Sequence, residues 1–184
     1  MHKDIERILF SEEQIKQRVE EIGQSLTDEY RDVASSEGIL LFSILRGAFV
    51  FMADLARATK LPVEIDFMAL SSYGSHARSS GEVVIQKDII GSIRGKHVIA
   101  VEDVLDSGRT LQYLQRIIEM REPASFSVVT LLHKKVENQV DIQCKHIGFE
   151  CPNEFIVGYG LDYAQRYRNL PYIGVLKPEV YEER

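Results

Sequence analysis

Hydrophobic positions along the chain follow two spacings, which predict helices that alternate with strands. Apolar residues recur every three or four positions from Ile15 to Val33, and Ser11-Glu12-Glu13-Gln14 before them has the form of a capping box. We therefore predict a long amphipathic helix that begins after Ser11. The continuous apolar run at 39–45 is typical of a strand that is buried on both faces of a parallel sheet.

The same alternation continues towards the C-terminal side. Further strands are predicted at 63–69, 82–85, 97–101 and 126–132, helices at 48–59 and 108–120, and short β segments at 147–150, 155–157 and 172–176. Strands and helices in alternation predict an α/β fold, with a mainly parallel twisted sheet flanked by helices. Residues 71–81 are rich in serine and glycine, which predicts a mobile loop.

Length and composition fit one globular domain built from these elements. The chain has 184 residues, of which 45% are hydrophobic and 27% charged, and this composition argues against disorder. A net charge of −6 argues against a protein that coats nucleic acid. The apolar runs are too short to cross a bilayer, and the N-terminus has no apolar core of a signal peptide. We expect a cytoplasmic protein with neither nucleic-acid nor membrane partners.

Two cysteines, Cys144 and Cys151, are too few for a disulfide scaffold. Free thiols fit the reducing cytoplasm that the other features indicate. His146 lies between the two cysteines, but the three residues lack the spacing of known zinc sites. We predict no metal site at this cluster.

Candidate functional residues are most concentrated in the segment 98–110. An apolar strand ends in two adjacent carboxylates, Glu102 and Asp103; a third follows at Asp106, and a small-residue turn then enters a helix. Backbone N–H groups at a helix N-terminus suit a phosphate dianion, and ionised carboxylates accept hydrogen bonds from ribose hydroxyls. We therefore predict a ribose 5-phosphate site beyond the strand. The alternative, that Asp106 only caps the helix, does not account for the other two carboxylates.

This segment resembles the binding signature for phosphoribosyl pyrophosphate (PRPP) in type I phosphoribosyltransferases: hydrophobic residues, Glu-Asp, two apolar residues, then Asp-Ser/Thr-Gly-x-Thr. Other matches narrow the resemblance to the hypoxanthine-guanine phosphoribosyltransferase family, above all a C-terminal segment that the rest of the superfamily does not share. The matching stretches are 45–48, 72–74, 131–134, 155–163 and 168–170. The resemblance implies a single domain, 1–184, with a core at about 36–150 and a hood from about 1–12 and 150–184.

The resemblance also implies an activity in purine salvage. The expected reaction is Mg²⁺-dependent transfer of the 5-phosphoribosyl group from PRPP to a 6-oxopurine, hypoxanthine or guanine, which gives IMP or GMP and pyrophosphate. Family members are commonly dimers or tetramers, so a homo-oligomer is expected. An alternative from another class is a nucleotide-sensing RNA-binding regulator on the same fold, but it would need a basic face that the acidic composition does not favour. The ranking of hypoxanthine, guanine and xanthine is left open.

The resemblance assigns a role to each residue that is expected to bind PRPP. Asp106 matches the proposed general base, which accepts or steers the proton of purine N7, and it also belongs to the PRPP site. Glu102 and Asp103 match the ligands of the ribose hydroxyls and of Mg²⁺. The other matches are the 5-phosphate loop, Ser107, Gly108, Arg109 and Thr110, and the pyrophosphate contacts, Arg46, Gly47 and Arg168. In the family, the peptide of the pair that matches Arg46–Gly47 is often cis.

On the purine side, Lys134 matches the residue that hydrogen-bonds the 6-oxo group, and Phe155 matches the ring that stacks on the base. The backbone at Ile156 would read N1 and the 2-position. Asp162 matches a ligand of a second Mg²⁺ that lies near the 2-substituent. Taken without the resemblance, Phe155 is typical of a core residue and Arg168 of a surface residue.

The predicted loop at 71–81 matches the mobile catalytic loop of the family, whose tip corresponds to Ser72 and Tyr73. A loop that closes over the reacting centre excludes water, which competes with the purine for the ribose. The roles of His76 and Arg78 in this loop are left open.

Overall fold

The computed structural model describes residues 2–72, 83–134, 140 and 142–182, and these ranges contain two β-sheets and four helices. In chain order the elements are β1 (Ile5–Phe10), α1 (Glu12–Tyr30), β2 (Ile39–Ile44), α2 (Phe49–Ala58), β3 (Glu64–Ser72), β4 (Val83–Lys87), β5 (His97–Leu105), α3 (Arg109–Glu119), β6 (Ser125–Lys134), β7 (Cys144–Cys151), β8 (Ile156–Val157), β9 (Ile173–Leu176) and α4 (Pro178–Tyr181). None of the described helices combines the length and hydropathy that a membrane crossing needs.

Six strands form the larger sheet, in the order β4-β3-β2-β5-β6-β7. Every neighbouring pair from β3 to β7 is parallel, and β4 joins the edge antiparallel to β3. The first five residues of β2, in the middle of the sheet, are buried, as their continuous apolar run predicts.

Helices cover both faces of this sheet. Along β5, Val98 and Ala100 share an apolar cluster with α3, while Ile99 and Val101 share another with α1 and α2. Because successive side chains of a strand point to opposite faces, α1 and α2 lie on one face and α3 on the other. The predicted α/β fold, with a mainly parallel sheet flanked by helices, is confirmed.

The capping box sets the start of α1. Ser11 Oγ accepts a hydrogen bond from the backbone N–H of Gln14 at 3.3 Å, and Gln14 Oε1 accepts one from the N–H of Ser11 at 2.9 Å. Both N–H groups would otherwise lack an intrahelical partner. The predicted apolar positions from Ile15 to Tyr30 are buried, which confirms the amphipathic helix, but the helix ends at Tyr30, before Val33.

The smaller sheet joins residues that are far apart in the sequence. β9 lies between β1 and β8 and pairs antiparallel with both. The pattern analysis missed β1, because two register shifts along it break the regular alternation of buried and exposed positions. It also missed α4, whose four residues are too short to show helical periodicity.

β5 is longer than predicted, and this changes where two candidate residues lie. The strand runs to Leu105 rather than 101, because β6 continues to pair with it up to Leu105↔His133. Glu102 and Asp103 therefore lie inside the strand, and their side chains point to opposite faces of the sheet. At the other predicted boundary, 71–72 belong to β3, and the rest of the predicted loop, with Tyr73, His76 and Arg78, lies outside the described residues.

Candidate active site

A cavity of about 280 Å³ lies where β2 and β5 end. Its walls are the turn after β2, the last residues of β5 and the start of α3. This is the edge of the sheet at which ligands of open α/β folds bind. The structure therefore brings nine of the predicted site residues together in one cavity: Arg46, Gly47, Glu102, Asp103, Asp106, Ser107, Gly108, Arg109 and Thr110.

The turn into α3 presents backbone N–H groups to this cavity. Gly108 is the N-cap of the helix, in a left-handed conformation with φ of +75°, and it has no side chain to accept from the first turn. A Cβ at Gly108 would come within 2.9 Å of Val140 Cγ2, so the close packing and the positive φ both favour glycine here. Asp106, Arg109 and Thr110 are exposed beside the turn. An anion at this position would meet N–H donors and the positive end of the helix dipole.

The two carboxylates in β5 occupy different environments. Glu102 is 9% exposed, and its pKa is raised well above the ordinary value by burial and then by the charge of Asp103. Among the described residues, no hydrogen bond or cation offsets these effects on Glu102. The pKa of Asp103 is also raised, mainly by burial, although the N–H of Val104 donates to it at 2.9 Å and Arg168 lies nearby. In an apo site, negative charge at this pair is therefore poorly compensated.

Such a carboxylate pair fits a divalent cation. Adjacent buried carboxylates supply the hard oxygen ligands that Mg²⁺ prefers, and the cation would supply the charge that the pair lacks. Within the ranges described, no three His, Cys, Asp or Glu side chains form a complete metal cage. Mg²⁺ commonly binds through one or two carboxylates and completes its shell with water and substrate phosphates. Glu102 and Asp103 leave β5 on opposite faces but line the same cavity, so each could supply an oxygen ligand in this way.

The turn after β2 packs directly against Asp103. A Cβ at Gly47 would overlap the Asp103 carboxylate, so only glycine allows this approach. Arg46 Nη1 donates to Gln165 Oε1 at 3.0 Å. The sequence leaves open whether the Arg46–Gly47 peptide is cis; the cis peptide bond of this turn joins Leu45 to Arg46.

The C-terminal segment brings a guanidinium to the same place. Arg168 Nη2 lies 2.8 Å from Asp162 Oδ1, and both side chains are close enough to Asp103 to affect its pKa in opposite directions. Arg168 Nη1 donates to the carbonyl oxygen of Gly160 at 2.7 Å. Arg168 also lines a second cavity of about 820 Å³ between α1, α2 and the C-terminal segment. The structure thus places Arg168 and Asp162 close to Asp103 of β5.

The predicted purine residues lie next to one another but do not line the 280 Å³ cavity. Lys134, at the end of β6, donates from Nζ to the carbonyl oxygen of Glu154 at 2.9 Å. Glu154 directly precedes Phe155 in the sequence. The Phe155 ring is 38% exposed and stacks on Tyr181, with ring centroids 4.7 Å apart. Ile156 is buried, and its backbone pairs with β9.

Sequence reasoning missed several residues that build this site. Tyr181 belongs to the unpredicted helix α4, so no signal in the periodicity pointed to it. Gln165, which accepts from Arg46, and Gly160, which packs against Gly47, lie in or beside the matched C-terminal stretches but received no role. Glycine at 160 was the available signal, because its φ of +101° favours that residue.

The cysteines and His146 make separate contacts within the protein. The Cys144 thiol donates to the carbonyl oxygen of Val128 at 3.6 Å, and His146 Nε2 lies 3.0 Å from Glu29 Oε2. Cys151 is buried and free. These contacts hold α1 and β6 against β7.

We expect Cys144 to react slowly with iodoacetamide near neutral pH. Burial raises the pKa of its thiol to about 11, and only the thiolate is nucleophilic. Alkylation followed by peptide mass spectrometry should speed up about tenfold per pH unit from about pH 8 to about pH 10, without a plateau. In urea, the unfolded chain should reach a plateau near the ordinary thiol pKa of about 8.5. The same plateau in protein shown to be folded by circular dichroism contradicts the buried state of the thiol.

Comparison with known proteins gives a consistent result. A family model described as a phosphoribosyl transferase domain matches residues 10–164. A hypoxanthine-guanine phosphoribosyltransferase from Bacillus subtilis is 50% identical over 182 residues, which cover 99% of either chain. Bifunctional TilS/HprT proteins of Listeria match all of this chain at 49% identity, but the chain spans only 28% of their length.

Two solved structures show how far the likeness extends in three dimensions. A hypoxanthine phosphoribosyltransferase from Staphylococcus aureus superposes with a TM-score of 0.92 at 43% identity, over 100% of this chain and 97% of that one. The Trypanosoma cruzi enzyme, in complex with the product IMP, has a TM-score of 0.91 at 40% identity, over 98% of this chain and 99% of that one. The likeness covers both sheets and the residues of the candidate site.

Proposed function

Because the chain belongs to the phosphoribosyltransferase family and, within it, to the hypoxanthine-guanine phosphoribosyltransferases, we propose that it transfers the 5-phosphoribosyl group of PRPP to hypoxanthine or guanine. The products are IMP or GMP and pyrophosphate, and the reaction depends on Mg²⁺. One observation carries the proposal: the carboxylates of β5 and the N-terminus of α3 meet in one cavity. The IMP bound to the Trypanosoma cruzi relative supports the choice of product class.

PRPP is bound by the 280 Å³ cavity in this proposal. Residues 107–110 surround the 5-phosphate with N–H groups and hydroxyls, and Glu102 and Asp103 accept hydrogen bonds from the ribose hydroxyls. Arg46, Gly47 and Arg168 contact the pyrophosphate. Glu102 and Asp103 would hold one Mg²⁺ and Asp162 a second, and the ions would supply positive charge that offsets the negative charge of the departing pyrophosphate.

The reaction replaces one bond of the ribose carbon C1′ with another. The bond from C1′ to the pyrophosphate oxygen breaks, the bond from purine N9 to C1′ forms, and the ribose carries positive charge between the two events. Asp106 accepts the proton that N7 loses, and its negative charge favours the cationic sugar. The guanidinium of Arg168 stabilises the negative charge that develops on the leaving pyrophosphate.

The choice of base depends on Lys134, which can donate hydrogen bonds but cannot accept them. The Lys134 ammonium donates hydrogen bonds only, so it fits the 6-oxo group of hypoxanthine or guanine and disfavours the 6-amino group of adenine. Phe155 stacks on the base, with Tyr181 against its ring. The backbone of Ile156 and the carboxylate of Asp162 lie at the 2-position.

A panel of bases tests the proposed function. With PRPP and Mg²⁺, ultraviolet absorbance should show consumption of hypoxanthine and guanine, and little or none of adenine or orotate, since Lys134 offers no acceptor. Chelation of Mg²⁺ by EDTA should abolish turnover, and excess Mg²⁺ should restore it. Turnover of adenine or orotate without turnover of hypoxanthine or guanine contradicts the proposal.

The RNA-binding regulator is not favoured, since the acidic chain and its enzymatic relatives both point away from it. We also propose that the protein acts in the cytoplasm as a homo-oligomer, a dimer or a tetramer, as is common in its family.

A further inference from the structure

A hydrogen bond between a tyrosine and an aspartate joins α2 to the C-terminal segment beside the candidate active site. Tyr159 Oη donates to Asp54 Oδ2 at 2.7 Å, and Tyr159 is only 7% exposed. Asp54 also pairs with Arg57, about one turn further along α2. The proposed reaction gives none of these three residues a role.

This bond connects the two chain segments that carry the pyrophosphate contacts. Asp54 lies on α2, which begins directly after the turn that holds Gly47. Tyr159 precedes Gly160, whose carbonyl oxygen accepts from Arg168 Nη1 at 2.7 Å and whose N–H donates to the carbonyl oxygen of Arg168 at 2.9 Å. A movement of Tyr159 relative to α2 therefore moves Arg168 relative to Gly47.

Close packing at this junction makes its geometry sensitive to small shifts. Gly160 has a φ of +101°, and a Cβ there would overlap the carbonyl oxygen of Gly47. Tyr159 itself has a φ of +50°, which is uncommon for a residue with a side chain. Such backbone conformations persist only where the surrounding structure holds them. Two hydrogen bonds fix Tyr159 in this conformation. Its hydroxyl donates to Asp54, and its N–H donates to the carbonyl oxygen of Leu170 at 2.8 Å.

The hydroxyl of Tyr159 remains a donor at neutral pH. Burial, followed by the hydrogen bond to Asp54, raises the pKa of Tyr159 above its ordinary value. The proton therefore stays on the tyrosine, and the bond to the carboxylate is of the stronger, charge-assisted kind.

The geometry points to Tyr159 and Asp54 as positioning residues for the pyrophosphate part of the PRPP site, an inference that rests on the proposed function. They touch no substrate, and they act through Gly160 by fixing the Arg168 guanidinium opposite Gly47. The proposed contacts to hypoxanthine, which has no 2-substituent for Asp162 to meet, lie elsewhere: Lys134 is on β6 and Ile156 is on the smaller sheet. PRPP affinity should therefore depend on this bond, and hypoxanthine affinity should not.

Steady-state kinetics of Tyr159→Phe, with PRPP and hypoxanthine varied separately, test the inference. We expect KM for PRPP to rise about tenfold, the factor that corresponds to the loss of one good hydrogen bond, with KM for hypoxanthine unchanged. Asp54→Asn keeps an oxygen that can accept from the tyrosine, so it should retain most of the PRPP affinity that Asp54→Ala loses. Size-exclusion chromatography checks that all variants keep the oligomeric state of the parent.

Tyr167→Phe is the matched control. Tyr167 Oη donates to Asp4 Oδ2 at 2.8 Å from the same C-terminal segment, but Asp4 precedes β1 and does not line the cavity. Both tyrosine variants should lose a similar amount of thermal stability, while only Tyr159→Phe should raise KM for PRPP.

Two results separate the inference from the proposed function. If the parent converts hypoxanthine but Tyr159→Phe keeps its KM for PRPP, or if Tyr167→Phe shows an equal rise, the positioning role is wrong and the proposed function stands. If the parent does not convert hypoxanthine, the proposed function is wrong and the positioning role falls with it.

Discussion

Replacement of Asp106 by asparagine is expected to lower kcat for hypoxanthine by a factor of about 10² to 10⁴, the usual contribution of a general base. The amide can still accept a hydrogen bond from N7–H, but it cannot take the proton or offer negative charge to the cationic ribose. Asp106 lies in the exposed turn before α3, so the substitution leaves the packing of the core untouched. Stopped-flow or steady-state absorbance measurements give kcat directly.

PRPP binding should survive in Asp106→Asn. The phosphate contacts belong to the N–H groups of 107–110, which the substitution does not alter, and isothermal titration calorimetry should show a Kd close to that of the parent. Asp32→Asn is a matched control, because Asp32 is also exposed but follows α1, outside the cavity. Unchanged kcat in Asp106→Asn removes this residue from the proton-transfer role, and loss of PRPP binding would show that its main contribution is to PRPP binding.

Replacement of Gly47 by alanine is expected to lower kcat/KM for PRPP by about 10²-fold, the cost of a misplacement of about 1 Å at a reacting centre. The added Cβ would occupy the place of the Asp103 carboxylate, so either the turn or the carboxylate must move. Both are proposed PRPP ligands, and the larger share of the loss should appear in KM for PRPP. Steady-state kinetics with PRPP varied at saturating hypoxanthine measure it.

Gly91→Ala is the control for a glycine substitution as such. Gly91 has a φ of +86°, but a Cβ there meets nothing within 4 Å. This variant should lose about 1–2 kcal/mol of stability, because alanine disfavours a positive φ. Its kcat/KM for PRPP should equal that of the parent. Full activity in Gly47→Ala would show that the close approach of the turn to Asp103 is absent from the working enzyme.

Features that are encoded locally could be predicted from the sequence. The capping box and apolar spacing of α1 lie within a few turns of one another, and the run that forms β2 is continuous, so neither needs knowledge of distant residues. The phosphate turn is also local, because Gly108 and its neighbours form the N-terminus of α3 by themselves.

Features that depend on distant pairing could not be predicted. The end of β5 is set by its pairing with β6, which carries the strand past 101 and places Glu102 and Asp103 inside it. The contact of Gly47 with Asp103 and the approach of Arg168 to Asp103 bring together residues from different parts of the chain. Family resemblance named these residues as ligands, but only the three-dimensional arrangement shows which of them restrain each other.

Strand pairing in the smaller sheet has a consequence for the order of events during synthesis. β9 is translated after every other described strand, yet it is the central strand, and it pairs Ile5 with Leu176 and Ile156 with Val175. Until β9 emerges from the ribosome, β1 and β8 have no strand between them, whereas β2, β5 and α3 are already available to fold. A nascent chain can therefore complete the phosphate half of its site first and complete the smaller sheet, which holds Ile156, only after β9 has emerged.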